Sequence, residues 1–107
     1  MNLIPELQQV SLEEEFQRLL QNWREETALF SSSTRIIEHP TYQRIIALGP
    51  TVLPLLLREL ERTSDGHLST ALTALTGAQP VPQEDQGRIR KIADAWLHWA
   101  RENDLSW

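Results

Sequence analysis

The ten residues Thr51-Val52-Leu53-Pro54-Leu55-Leu56-Leu57-Arg58-Glu59-Leu60 constrain this chain more than any others, because six of them are aliphatic and they recur with helical spacing. Leu53, Leu56, Leu57 and Leu60 fall three and four apart, on one side of a helix. Val52 and Leu55 widen that side around much of the circumference. A helix this apolar must be surrounded by others. Pro54 does not forbid it, since a proline in the first turn removes no intrahelical donor. The segment therefore predicts a central helix opened by Pro50 and Thr51, and an all-α fold built around it.

The rest of the chain supplies the partners. Ser11 and Glu14 form a capping box, in which hydroxyl and carboxylate each satisfy a free backbone N–H at a helix start. The first helix is expected from there to about residue 30. Leu12, Phe16, Leu19, Leu20, Trp23, Thr27 and Phe30 make its stripe; Glu13, Glu15, Arg18, Gln21, Asn22, Arg24 and Glu25 make its solvated side. The serines at 31–33 end it, and residues 34–39, with Ile36 and Ile37, read as a turn or one helical turn. His39 is pushed out of helical dihedrals by Pro40 and is placed to cap a short second helix with Tyr42, Ile45 and Ile46, ending at Gly49. After the central helix, Thr63-Ser64-Asp65-Gly66 makes a turn. A fourth helix presents Leu68, Ala71, Leu72 and Leu75 before a left-handed end at Gly77. Residues 78–87, with Pro80 and Pro82, form the longest connection. The fifth helix, about 87–103, turns Ile89, Ile92, Ala93, Trp96, Leu97 and Ala100 inward, with Trp99 at the edge and Arg90, Lys91, Asp94, His98 and Arg101 outside. No sustained period of two competes. The expectation is a compact bundle of about five helices: a single domain over 11–107 behind an N-terminal arm over 1–10, whose Leu3, Ile4 and Leu7 dock on the core.

Composition narrows the function classes. With no cysteine, disulfides, thiolate metal sites and cysteine nucleophiles are excluded, and a reducing compartment is suited. The start, Met1-Asn2-Leu3-Ile4-Pro5-Glu6, lacks the charge and apolar run of a signal peptide. The longest apolar run, residues 52–57, is far short of a membrane span. A cytoplasmic location is expected. The net charge is −5, and residues 1–40 hold seven acids against three bases. Affinity for nucleic acid comes chiefly from cations neutralising phosphates, so this balance points to protein instead.

Two resemblances follow from motifs. The run Ile46-Ala47-Leu48-Gly49-Pro50-Thr51-Val52-Leu53-Pro54-Leu55-Leu56-Leu57-Arg58-Glu59-Leu60, followed by the alanine- and leucine-rich 69–77, resembles one HEAT-like helical hairpin over residues 46–77. Only one unit is matched, whereas arrays stack several to bury a continuous core. Across nearly the whole chain, H-P-x-Y-Q-x-I-I-x-L-G at 39–49, A-L-x-x-L-T-G at 71–77, P-V-P at 80–82 and W-L-x-W at 96–99 resemble a family of small uncharacterised all-helical bacterial proteins. That resemblance implies a fold and carries no activity; Leu68 stands where the family often has an aromatic residue.

Catalytic chemistry has no foothold here. Asp94, His98 and Glu102 make a row at i, i+4 and i+8, but Lys91 and Arg101 interleave it, as on any solvated helix. His39 and His67 sit at helix starts with no ligand spacing. No G-x-S-x-G turn or phosphate-cradling loop occurs, and Gly49, Gly66, Gly77 and Gly87 each mark a helix boundary. The chain is expected not to be an enzyme and to need no metal or cofactor. Tryptophan concentrates binding energy at interfaces. Trp23 and Trp96 lie mid-stripe and read as core, while Trp99 and Trp107 either close the core or face a partner. The nominated partner-binding residues are Trp99, Trp107, Pro80, Val81, Pro82, Arg88, Arg90 and Lys91. The expected function is a non-enzymatic protein-binding module: an acidic antitoxin, immunity protein or adaptor. A homodimer is compatible with this reading, and neither membrane nor nucleic acid is expected. The alternative is a nucleic-acid-associated regulator using Arg88, Arg90, Lys91 and Arg101.

Overall fold

A computed structural model describes residues 5–107, and side chains from residue 11 onward. The arm positions Leu3 and Ile4 lie outside the described residues, as does the side chain of Leu7. Every regular element described is helical. The chain divides into two compact units, one ending at Val52 and the other Leu53–Trp107.

The first unit is built from α1 (Pro5–Glu26), α2 (Ser33–Glu38) and α3 (Pro40–Ala47). Helix α1 starts six residues before Ser11, so the Ser11 and Glu14 pair lies inside the helix, with both side chains exposed, and is not its cap. The stripe holds: Phe16, Leu19, Leu20 and Trp23 are buried. Helix α1 ends at Glu26, before Phe30, and buried Thr27 turns its hydroxyl back to donate to the Trp23 carbonyl at 2.7 Å. Residues 33–38 form a short helix where a single turn was expected, capped by Ser32 Oγ, which accepts the Arg35 N–H. His39 caps α3 as its place before Pro40 implies, Nδ1 accepting the Thr41 N–H at 3.2 Å. Both α1 and α2 pack on α3. The Trp23 ring lies 5.0 Å from that of buried Tyr42, and its indole N–H donates to the Ile36 carbonyl at 2.8 Å. Thr41 donates to Glu26 at 2.6 Å. Gly49 (φ 87°) and a 3₁₀ turn at Pro50–Val52 close the unit.

The second unit holds α4 (Leu53–Thr63), α5 (Leu68–Thr76) and α6 (Ile89–Glu102), each packed on the other two. Pro54 is the second residue of α4, in the first turn, where it is tolerated. Leu55, Leu56, Leu57 and Leu60 are buried, whereas Leu53 is only half-buried. The same helix buries Glu59, whose carboxylate accepts from the guanidinium of exposed Arg62 one turn on. That hydrogen bond, with the pair's Coulomb attraction, raises the Arg62 pKa above its ordinary value. The turn into α5 puts Ser64, not a glycine, in the left-handed region (φ 55°). Leu68, Ala71 and Leu72 are buried on α5. On α6, Ile92, Ala93, Trp96, Leu97 and Ala100 are buried. Ile89 shares their angular position but is 59% exposed, left uncovered at the first residue of the helix. No described helix is long and apolar enough to cross a membrane.

Candidate functional site

Gly77 ends α5 in the left-handed conformation (φ 76°), which turns the chain off the helix. The connection that follows carries Pro80 and Pro82, each with φ fixed and no N–H to offer, and then a 3₁₀ turn at Gln83–Asp85. A groove of about 430 Å³ opens beside it. Helix α5 gives one wall, Ser69, Thr70, Thr73 and Ala74; the connection gives the other, Gln79, Pro80, Val81 and Gln86; Trp96 of α6 forms the floor.

The floor is rigid. Trp96 is fully buried and its indole N–H donates to Ser69 Oγ at 2.7 Å, joining α6 to the wall of the groove. Gln86 reaches back to the Val81 carbonyl at 3.4 Å. The other polar side chains of the site are uncommitted: the Thr70 and Thr73 hydroxyls and the Gln79 carboxamide make no hydrogen bond among the described residues. By contrast Thr27, just past α1, and Thr63 and Thr76, the last residues of α4 and α5, each spend their hydroxyl on the carbonyl four residues back. No ionisable side chain lines the groove. It offers donors and acceptors over a neutral surface, with no acid, base or nucleophile positioned by another group.

The nominated residues separate into three sets. Pro80 and Val81 line the groove, whereas Pro82, in the same loop, is exposed outside it. Arg88, Arg90 and Lys91 are exposed at the start of α6 and form no ion pair among the described residues. Arg88 is the N-cap without a side-chain cap bond, and no acid occupies the first turn, so these cations sit at the unfavourable, positive end of the helix. The third set is held internally. Trp99 is half-buried, edge-on to Trp96 at 5.5 Å. Half-buried Trp107 donates its indole N–H to Glu61 at 3.0 Å under the Arg101 guanidinium, 5.3 Å from the ring centre. Arg101 also lies 3.9 Å from Glu61, which separates it from the other three cations.

Asp94, His98 and Glu102 are exposed, His98 lying 3.3 Å from Glu102. Among the described residues no group of three histidines or carboxylates is placed to hold a metal. A second depression of about 450 Å³ runs along α1 past Gln17, Arg18, Gln21, Arg24 and Glu25; there Arg18 is already paired with Glu15. Thr70, Thr73, Gln79 and Gln86 did not stand out in the sequence. The available signal was the row of hydroxyls at Ser69, Thr70, Thr73 and Thr76 on a helix whose other residues are leucine and alanine. Comparisons with protein-family models, curated proteins and solved structures found no match.

Proposed function

We propose that the chain is a non-enzymatic protein-binding module whose contact site is the groove between α5, α6 and the connection joining them. One observation carries this reading: a preformed neutral groove whose Thr70, Thr73 and Gln79 side chains are uncommitted. Thr73 is half-buried, whereas Thr70 and Gln79 are exposed, so their hydroxyls and carboxamide are open to bond a partner in place of water. Size, a net charge of −5 and the lack of a positioned catalytic group suit an antitoxin, immunity protein or adaptor working in the cytoplasm. Membership of the family of small helical bacterial proteins that the motifs resemble is proposed on the same footing.

The test is affinity capture by the full chain from its cells of origin, repeated with Thr73→Val/Gln79→Leu. A captured protein that the variant loses supports the reading, and capture of no protein contradicts it. The unpaired Arg88, Arg90 and Lys91 favour a second reading, contact with nucleic acid. A salt-sensitive gel shift abolished by reversing those three charges would establish it, and no shift at low salt would remove it.

A further inference from the structure

We propose that the occupant of this groove is an extended peptide segment of the partner, uncharged along Thr70, Thr73 and Gln79 and acidic where it leaves past Gln86 toward Arg88, Arg90 and Lys91. This rests on the protein-binding reading above and gives the partner its chemistry.

The groove itself selects a neutral occupant. A phosphate or carboxylate inside it would be desolvated without a cation, because no charged side chain lines the walls. A sugar or base that stacks would find no platform, since the Trp96 ring is fully buried. A peptide unit carries one donor and one acceptor, and the groove answers with hydroxyls that do both and a carboxamide that presents each separately. The wall at Gln79, Pro80 and Val81 is a poor strand edge, because Pro80 has no N–H and the Val81 carbonyl already accepts from Gln86. Recognition therefore falls to side chains. From Ser69 to Ala74 the α5 wall is about 7 Å long at 1.5 Å per helical residue, room for about two residues of extended chain.

The cations begin where the groove ends. Arg88 follows Gln86 by two residues, so at most about 7 Å of backbone separates the rim from the first guanidinium-bearing position. Three unpaired cations at a helix N-terminus disfavour α6 unless an anion answers them. Ile89, 59% exposed among them, adds an apolar contact that a peptide side chain can cover and a hydrated phosphate backbone leaves exposed. Two carboxylates leaving the groove would meet Arg88 and Arg90 in charge-assisted hydrogen bonds.

The experiment is an NMR titration of the ¹⁵N-labelled full chain, read at the Trp96 indole N–H. The probes are acetylated, amidated glycine–glutamine tetrapeptides, either bare or flanked at both ends by two aspartates or by two lysines. All three are expected to move the Trp96 indole signal saturably. The aspartate-flanked peptide should bind at least tenfold tighter than the lysine-flanked one at low salt, and the gap should narrow as salt screens the charges. Replacing Arg88, Arg90 and Lys91 with alanine should remove the discrimination and leave bare-peptide binding intact; Thr73→Val/Gln79→Leu should remove binding of all three, with the unfolding midpoint unchanged. No shift at Trp96 with any peptide, equal affinity for both flanks, or tighter binding of maltotriose or of a single-stranded oligonucleotide would overturn the proposal. A captured protein that binds the groove variant as tightly as the native chain also overturns it, along with the groove as contact site, and leaves only the protein-binding role standing, whereas absence of any captured protein defeats that role itself.

Discussion

Each unit is organised around one buried tryptophan, and the two indoles are satisfied in different ways. In the first unit Trp23 donates to a backbone carbonyl, that of Ile36, and the polar groups nearby close on one another: Thr27 on the Trp23 carbonyl, Thr41 on Glu26, His39 on the Thr41 N–H. In the second unit Trp96 donates to a side chain, Ser69, which is itself part of a groove wall. Beside Ser69, the hydroxyls of Thr70 and Thr73 remain uncommitted. Burying an indole demands a partner for its N–H, and a backbone acceptor ends the chain of demands while a hydroxyl passes it to the surface. The second unit thus differs from the first in leaving hydroxyls unspent at its surface.

Removing either ring should have the largest effect. Trp96→Ala and Trp23→Ala each delete a fully buried aromatic side chain and are expected to cost about 3–5 kcal/mol, read by chemical denaturation. Equal losses sharpen the parallel between the units; a negligible loss at either site breaks it. Ser69→Ala comes next. It strands the Trp96 N–H beneath the groove and should cost about 1–3 kcal/mol, whereas Thr41→Val, at the closed site, should cost about 1 kcal/mol. Gly77→Ala is expected to cost about 1 kcal/mol, because a Cβ at φ 76° is strained although the space around it is open. Thr73→Val should leave stability within about 0.5 kcal/mol, since its hydroxyl has no internal partner. A loss above 1 kcal/mol would mean that the hydroxyl serves the fold.

The helices were legible because burial imposes a period on each. Leu55 to Leu60, Phe16 to Trp23 and Ile92 to Ala100 all show it, and all are buried. Boundaries were less legible. Ser11 and Glu14 have the spacing of a cap yet lie within α1, since the same residues are also tolerated on an exposed helical surface. Ile89 has the period but not the burial, because periodicity gives direction around a helix and says nothing of where its neighbours stop. Pro80 and Val81, singled out by turn chemistry, line the groove; Thr70, Thr73, Gln79 and Gln86 were not singled out, because uncommitted polar side chains are recognised only when the bonds of the others are known. Trp107 joins Glu61 across 46 residues of sequence, a pairing that no local pattern encodes.

The central claim is that the groove on the second unit is built for a protein segment. Isothermal titration of the captured partner against the native chain and against Thr73→Val/Gln79→Leu, with unfolding midpoints measured in parallel, tests it most directly. Affinity at least tenfold weaker in the variant at an unchanged midpoint is the predicted result; equal affinities would place the contact elsewhere on the chain and contradict the account.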